Sequence, residues 1–119
     1  MIIAVEHVTL AMPPEQEDRA RDFYGRLLGL TEVKRPYALA EQGGVWYSLG
    51  AQQLHLDVDE NFQANKTACP ALLVRDSAIW AKRLREANCA VEWNDDLAAY
   101  QRFFSKDPFG NRLEFLEPK

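Results

Sequence analysis

Histidine occurs twice in this chain, as His7 in EHVTLAM and as His55 in LHLDV. With Glu114 in the closing stretch DPFGNRLEFLE and Cys69 in CPALLV, these are the side chains whose types could do chemistry together. Neutral imidazole, carboxylate and thiolate are the side chains that bind transition metals, and imidazole and carboxylate are also common proton carriers. Each also has a plainer reading. A lone strand histidine is often a hydrogen-bonded core residue, and a lone buried cysteine is often an inert small hydrophobe. A carboxylate between Leu113 and Phe115 can be solvated, line a cleft or hold a cation. What decides is whether the fold brings the four to one face.

Ile3 to Met12 alternates as a strand, with Ile3, Val5, His7 and Thr9 on one side and Ala4, Glu6, Val8 and Leu10 on the other, before Pro13-Pro14 stops it. Ala20, Phe23, Tyr24, Leu27 and Leu28 then form one helical stripe that Gly29 is placed to end. Short strands are expected around 32–34, 37–41, 45–49 and 53–58, punctuated by Pro36, Gly43-Gly44 and Gly50. The polar stretch 59–67 reads as a linker. The order then recurs: an apolar strand at 70–75, Asp76 as N-cap, a helix burying Trp80, Leu84 and Ala87, and strands at 91–93, 100–105 and 112–116. Between the last two strands, Asp107-Pro108-Phe109-Gly110-Asn111 is a hairpin signal, because Pro fixes φ and Gly supplies the left-handed position.

Strand, helix and three strands, written twice, is an α+β internal repeat. The reading is one domain, 1–119, with module one at 1–58, the linker at 59–67 and module two at 68–119. Overlaying the halves by their first and last strands puts His7 on Cys69 and His55 on Glu114, at separations of 48 (55 − 7) and 45 (114 − 69) residues. Each half therefore offers a metal-capable side chain on its first strand and another on its last. Strand parity agrees, since Leu54 and Leu56 face the core away from His55, as Leu113 and Phe115 do from Glu114.

Composition narrows the functional classes. With 47% hydrophobic and 27% charged residues over 119, the chain reads as one soluble globular domain. No apolar run is long enough for a signal peptide or membrane span, and Cys69 and Cys89 are expected as reduced thiols, so a cytoplasmic location is expected. Fourteen Lys and Arg against eighteen Asp and Glu give −4, with the basic residues scattered instead of forming a stripe. Nucleic acid is therefore not an expected partner. Neither a GxxxxGK[ST] loop nor GxGxxG is present to cradle nucleotide phosphates.

The succession EHVTLAM, ARDFYGRLLGL, LHL and DPFGNRLEFLE resembles the vicinal-oxygen-chelate superfamily of glyoxalase I, extradiol dioxygenases, fosfomycin-resistance thiol transferases and bleomycin-binding proteins. FYGRLLGL and DPFGNRLEF are its most specific pieces, and the likeness spans nearly the whole chain. The resemblance implies two βαβββ modules in tandem, a curved mixed sheet around one cleft, and commonly a homodimer. It also implies a divalent metal held from the first and last strands of each module, which maps onto His7, His55, Cys69 and Glu114. The sequence departs from the family where Cys69 replaces the usual histidine. A thiolate there shifts preference toward softer ions such as zinc, whereas His7, His55 and Glu114 alone make a two-histidine, one-carboxylate set suited to iron, manganese, nickel or zinc. His55 also stands where glyoxalase I carries a glutamate, which counts against an ordinary lactoylglutathione lyase.

Two functions stand side by side. One is a metal-dependent lyase or dioxygenase that chelates a small oxygen-rich substrate, with Glu114 also moving a proton; the other is metal-free binding of a small molecule, resembling bleomycin-resistance proteins. In either, Arg102 with Tyr100 and Phe104 on one strand face, and Trp46, would line the ligand site, though Arg102 equally suits a solvated or ion-paired strand position and an aromatic such as Trp46 more often fills a core. Tyr37 is a further aromatic of that kind. Cys89 reads as structural, and Glu15, Glu17 and Asp18 as favourable charge at a helix N-terminus.

Overall fold

A computed structural model describes all 119 residues, which fall into two compact units, 1–64 and 65–119. Each unit is a four-stranded mixed sheet with a helix on one face.

In the first unit, β1 (His7–Met12) runs parallel to β4 (Gln52–Val58), which pairs antiparallel with β3 (Val45–Leu49), which in turn pairs with β2 (Thr31–Val33). β1 starts at His7 and not at Ile3. Its pairing begins at Gln53, near the start of β4, so the chain before Glu6 has no strand beside it and Ile3 and Val5 are exposed. Helix α1 (Glu17–Ala20) continues as a π-helical segment, Arg21–Leu27, in which Leu28 N–H bonds the Phe23 carbonyl. Ala20, Phe23, Tyr24 and Leu28 of the stripe are buried against Tyr47, Leu54 and Leu56, while Leu27 stays at the edge.

The strand expected at 37–41 is instead a 3₁₀ segment, Tyr37–Gln42. Pro36, at φ −55, begins it, and its carbonyl accepts from Leu39 N–H. The Arg35 guanidinium then holds the carbonyls of Leu39 and Gly44, so the backbone is satisfied without a neighbouring strand. Gly44, at φ +100, passes so close to Leu56 that a Cβ would collide with its carbonyl oxygen. Glu17, expected only to favour a helix terminus, accepts from Gly44 N–H at 2.9 Å. Tyr37 projects into solvent.

The second unit repeats the order. β5 (Ala71–Leu73) runs parallel to β8 (Arg112–Pro118), followed by β7 (Tyr100–Lys106) and β6 (Glu92–Asn94), both antiparallel. Helix α2 (Ser77–Glu86) is capped by Asp76, whose carboxylate accepts from Ile79 N–H at 3.2 Å. Its buried side is Ser77, Ala81 and Leu84; Trp80 lies half-buried on its flank and Ala87 is exposed, so the stripe is turned from the one expected. Phe103 and Phe115 stack at 5.0 Å under this helix-packed face. The 107–111 turn is organised by Asp107, whose Oδ1 accepts from the N–H groups of Phe109 and Asn111, both at 2.9 Å, with Gly110 at φ +90.

Candidate functional site

The internal repeat holds at the level of strand register. In unit one Thr9 is the partner of His55, and His7 lies two residues before it; in unit two Ala71 is the partner of Glu114, and Cys69 lies two residues before it. Within each unit the two metal-capable positions thus occupy matching places, on the sheet face away from the helix.

In unit one that face is a stack of three rings. Trp46 and His55 are partners across β3 and β4, and their rings lie parallel with centroids 3.7 Å apart. His7 covers the other side of His55 at 4.1 Å and 17°. The sandwich leaves His55 only 3% exposed, and burial, with the His7 ring beside it, holds its pKa below the ordinary histidine value, so the ring is kept neutral. His55 Nε2 hydrogen-bonds Gln53 Oε1 at 2.8 Å, and His7 Nδ1 meets Glu6 Oε1 at 2.6 Å. Trp46 Nε1 donates to Asp57 Oδ1 at 3.1 Å. Beyond Trp46 a recess of about 210 Å³ is walled by Arg35, Leu39, Gln42 and Asp57.

In unit two the matching face is charged. Arg102 Nη1 donates to Glu114 Oε1 at 3.2 Å, while its Nε and Nη2 donate to Asn94 Oδ1 at 3.1 and 2.9 Å. Phe104, the partner of Glu114 across β7 and β8, lies beneath the guanidinium groups of both Arg102 and Arg112. Tyr100 and Arg102, with Trp93 and Asn94, line an open recess of about 550 Å³ in which Phe104 takes no part. Cys69 is half-buried with a free thiol; burial raises its pKa, opposed in part by Arg112. Cys89 is half-buried beside the end of α2, where burial likewise raises its pKa, and it faces only the Ala87 carbonyl.

The expected residues therefore fall into two sets: His7, His55 and Trp46 together in unit one, and Glu114, Arg102 and Phe104 together in unit two. Within neither unit do three or more His, Cys, Asp or Glu side chains gather as a metal-binding group. Sequence reasoning did not single out Arg112, Asn94 or Gln53. For Gln53 the signal was its place two residues before His55 on one strand face. Asn94 and Arg112 touch the site through cross-strand register, which spacing along the chain does not reveal.

Two tandem βαβββ units, each carrying polar and aromatic side chains on the face its helix leaves open, define a class of small α+β proteins. The chain belongs to the Glyoxalase/Bleomycin resistance protein/Dioxygenase superfamily, whose family model matches residues 5–115. It is similar to a glyoxalase family protein from Bacillus anthracis, at 36% identity over 100% of this chain and 98% of that one, with a TM-score of 0.96. A lactoylglutathione lyase from Agrobacterium tumefaciens shares the fold at 22% identity, TM-score 0.73, over 96% and 92% of the two chains. A fosfomycin resistance protein from Listeria monocytogenes shares it at 10% identity, TM-score 0.79, over 100% and 96%. Among curated proteins nothing matches. No helix is long and apolar enough to cross a membrane.

Proposed function

We propose that the chain is a metal-dependent enzyme of the glyoxalase and dioxygenase type, acting on a small oxygen-rich molecule, with His7, His55 and Glu114 as the ligands of a divalent ion. The observation that carries this reading is the pairing of the two histidines, at 4.1 Å on one sheet face, together with Glu114 at the register position in unit two that His55 holds in unit one.

The donors suit such an ion in kind: two imidazoles, one of them kept neutral by burial, and a carboxylate. When bound, the ion supplies Lewis acidity toward adjacent substrate oxygens. The side chains have work of their own. In this structure the two imidazole rings lie stacked, 17° from parallel. His7, the exposed ring, would hold the ion together with His55, which is clamped by Trp46 and Gln53. Glu114, which accepts from Arg102 here, would supply the carboxylate donor, and a carboxylate is also suited to take a proton from the substrate and return it. Arg102, Tyr100, Phe104 and Trp46 are the proposed substrate contacts. Cys69 stands outside the proposed set, because His7, His55 and Glu114 already supply three donors and a lone buried cysteine is usually inert. The assembly proposed is a homodimer, checked by sedimentation.

Metal analysis of protein purified without chelator or histidine tag tests the reading. The expected result is about one ion per chain, lost in His7→Ala and in Glu114→Ala. Wild-type protein that takes up no divalent metal under aerobic and anaerobic loading overturns it. The second reading, metal-free capture of a small molecule, draws support from the stacked histidines and from the Arg102–Glu114 pair, and that result would favour it.

A further inference from the structure

The second sheet, on its face away from α2, sets two arginines over one ring, and the two are bonded very differently. Arg102 is fully engaged by Asn94 and Glu114. The Arg112 guanidinium makes a single hydrogen bond, Nη1 to the Lys66 carbonyl at 3.3 Å, and pairs with no carboxylate. Its guanidinium carbon sits 3.8 Å from the Phe104 centroid, against 5.1 Å for Arg102.

Stacking occupies the face of a guanidinium, whereas all its N–H donors lie in its plane. Phe104 therefore fixes Arg112 while leaving its Nε and Nη2 edge uncommitted, and that edge is the fork that matches two coplanar oxygens. The surroundings select further. Register puts Leu73 opposite Leu116 on this same face, and Leu73 is 72% exposed. Arg102, Lys106 and Arg112 outnumber Glu92 and Glu114 here by one charge, so an anion is favoured.

We propose that Arg112 is the receptor for a carboxylate on a small ligand whose apolar part lies along Leu73 and Leu116, with Arg102 as the second, backing charge. This rests on reading the face as a ligand site but not on any bound metal. Glu114, the one carboxylate at the centre of the face, competes with the ligand for the same cations.

Benzoate titrated into the chelator-treated full chain, followed by amide NMR shifts, tests the assignment. The expected result is binding that weakens about tenfold in Arg112→Met and less in Arg112→Lys, which keeps the charge and loses the fork. Glu114→Gln should tighten it, and Lys106→Met, removing the neighbouring exposed cation, should change it by less than about twofold. Wild-type protein that shows no benzoate shifts overturns the proposal. So does an equal loss in Lys106→Met and Arg112→Met, which would mean diffuse charge alone, and so does tighter binding of inorganic phosphate than of benzoate. Because metal is absent throughout, failure here leaves the metal reading standing, and failure to bind metal leaves this result standing.

Discussion

The imidazole of His55 lies flat on the indole of Trp46, 3.7 Å between centroids and 1° between planes. Cross-strand partners are the residues a sheet holds closest, and the Trp46 indole is itself anchored through Nε1 to Asp57. The clamp is thus made by backbone register and one hydrogen bond, and it fixes the ring before any ligand arrives.

Trp46→Ala should release His55. The ring protons of His55, shielded by the indole, should lose their upfield displacement in the NMR spectrum, with His7→Ala supplying the assignment. Stability should fall by about 1–3 kcal/mol in denaturant unfolding, since a half-buried aromatic and its stack are lost. Trp46→Phe should keep part of both effects. Histidine signals that do not move in Trp46→Ala would show that the indole does not lie on His55 in solution.

How much of this was legible in the sequence depends on how local the cause is. Asp76 and Asp107 act within a few residues of themselves, and both did what their positions predict. Parity put Leu54 and Leu56 in the core and His55 on the opposite face, because period-two alternation is a property of the strand alone. The 37–42 segment misled, since its apolar residues suit a strand but Arg35 supplies the backbone partners that a neighbouring strand would have given. The turn of the α2 stripe was hidden for a similar reason: the buried Ser77 is hydrogen-bonded to Glu117, which arrives 40 residues later. In the site, residue types and faces could be read, whereas the Trp46–His55 stack and the Arg112–Phe104 contact needed the register.

Arg102 and Glu114 form a nearly buried ion pair, 14% and 13% exposed. Arg102→Met leaves the carboxylate without its charged partner and should lower stability by about 2 kcal/mol, between the values for surface and fully buried pairs. Glu114→Gln should be milder, because Asn94 still accepts from Arg102. The double variant should be less destabilised than the sum of the two, and denaturant unfolding of all four proteins closes the cycle. Strict additivity would mean that the two side chains are neighbours without being partners.

Glu117 carries the pH dependence. Its carboxyl is held below the usual 4.5, chiefly by the Ser77 N–H, then by the Ser77 hydroxyl and the Asp76 N–H. Oε1 accepts the first two bonds at 3.0 and 2.8 Å and Oε2 the third at 3.0 Å, so the end of β8 caps the start of α2. Between the folded and unfolded pKa values the unfolded chain binds more protons, and stability therefore rises with pH across that interval. The contribution is complete above 4.5, where the unfolded glutamate has ionised, and is lost as pH falls through the lower folded value. Unfolding free energies of wild type and Glu117→Gln, measured from neutral pH downward, should differ by a constant gap at first and converge below 4.5. A gap of unchanged size in acid would show that the three hydrogen bonds support the helix end whether or not the carboxylate is charged, and would remove Glu117 as the source of acid sensitivity.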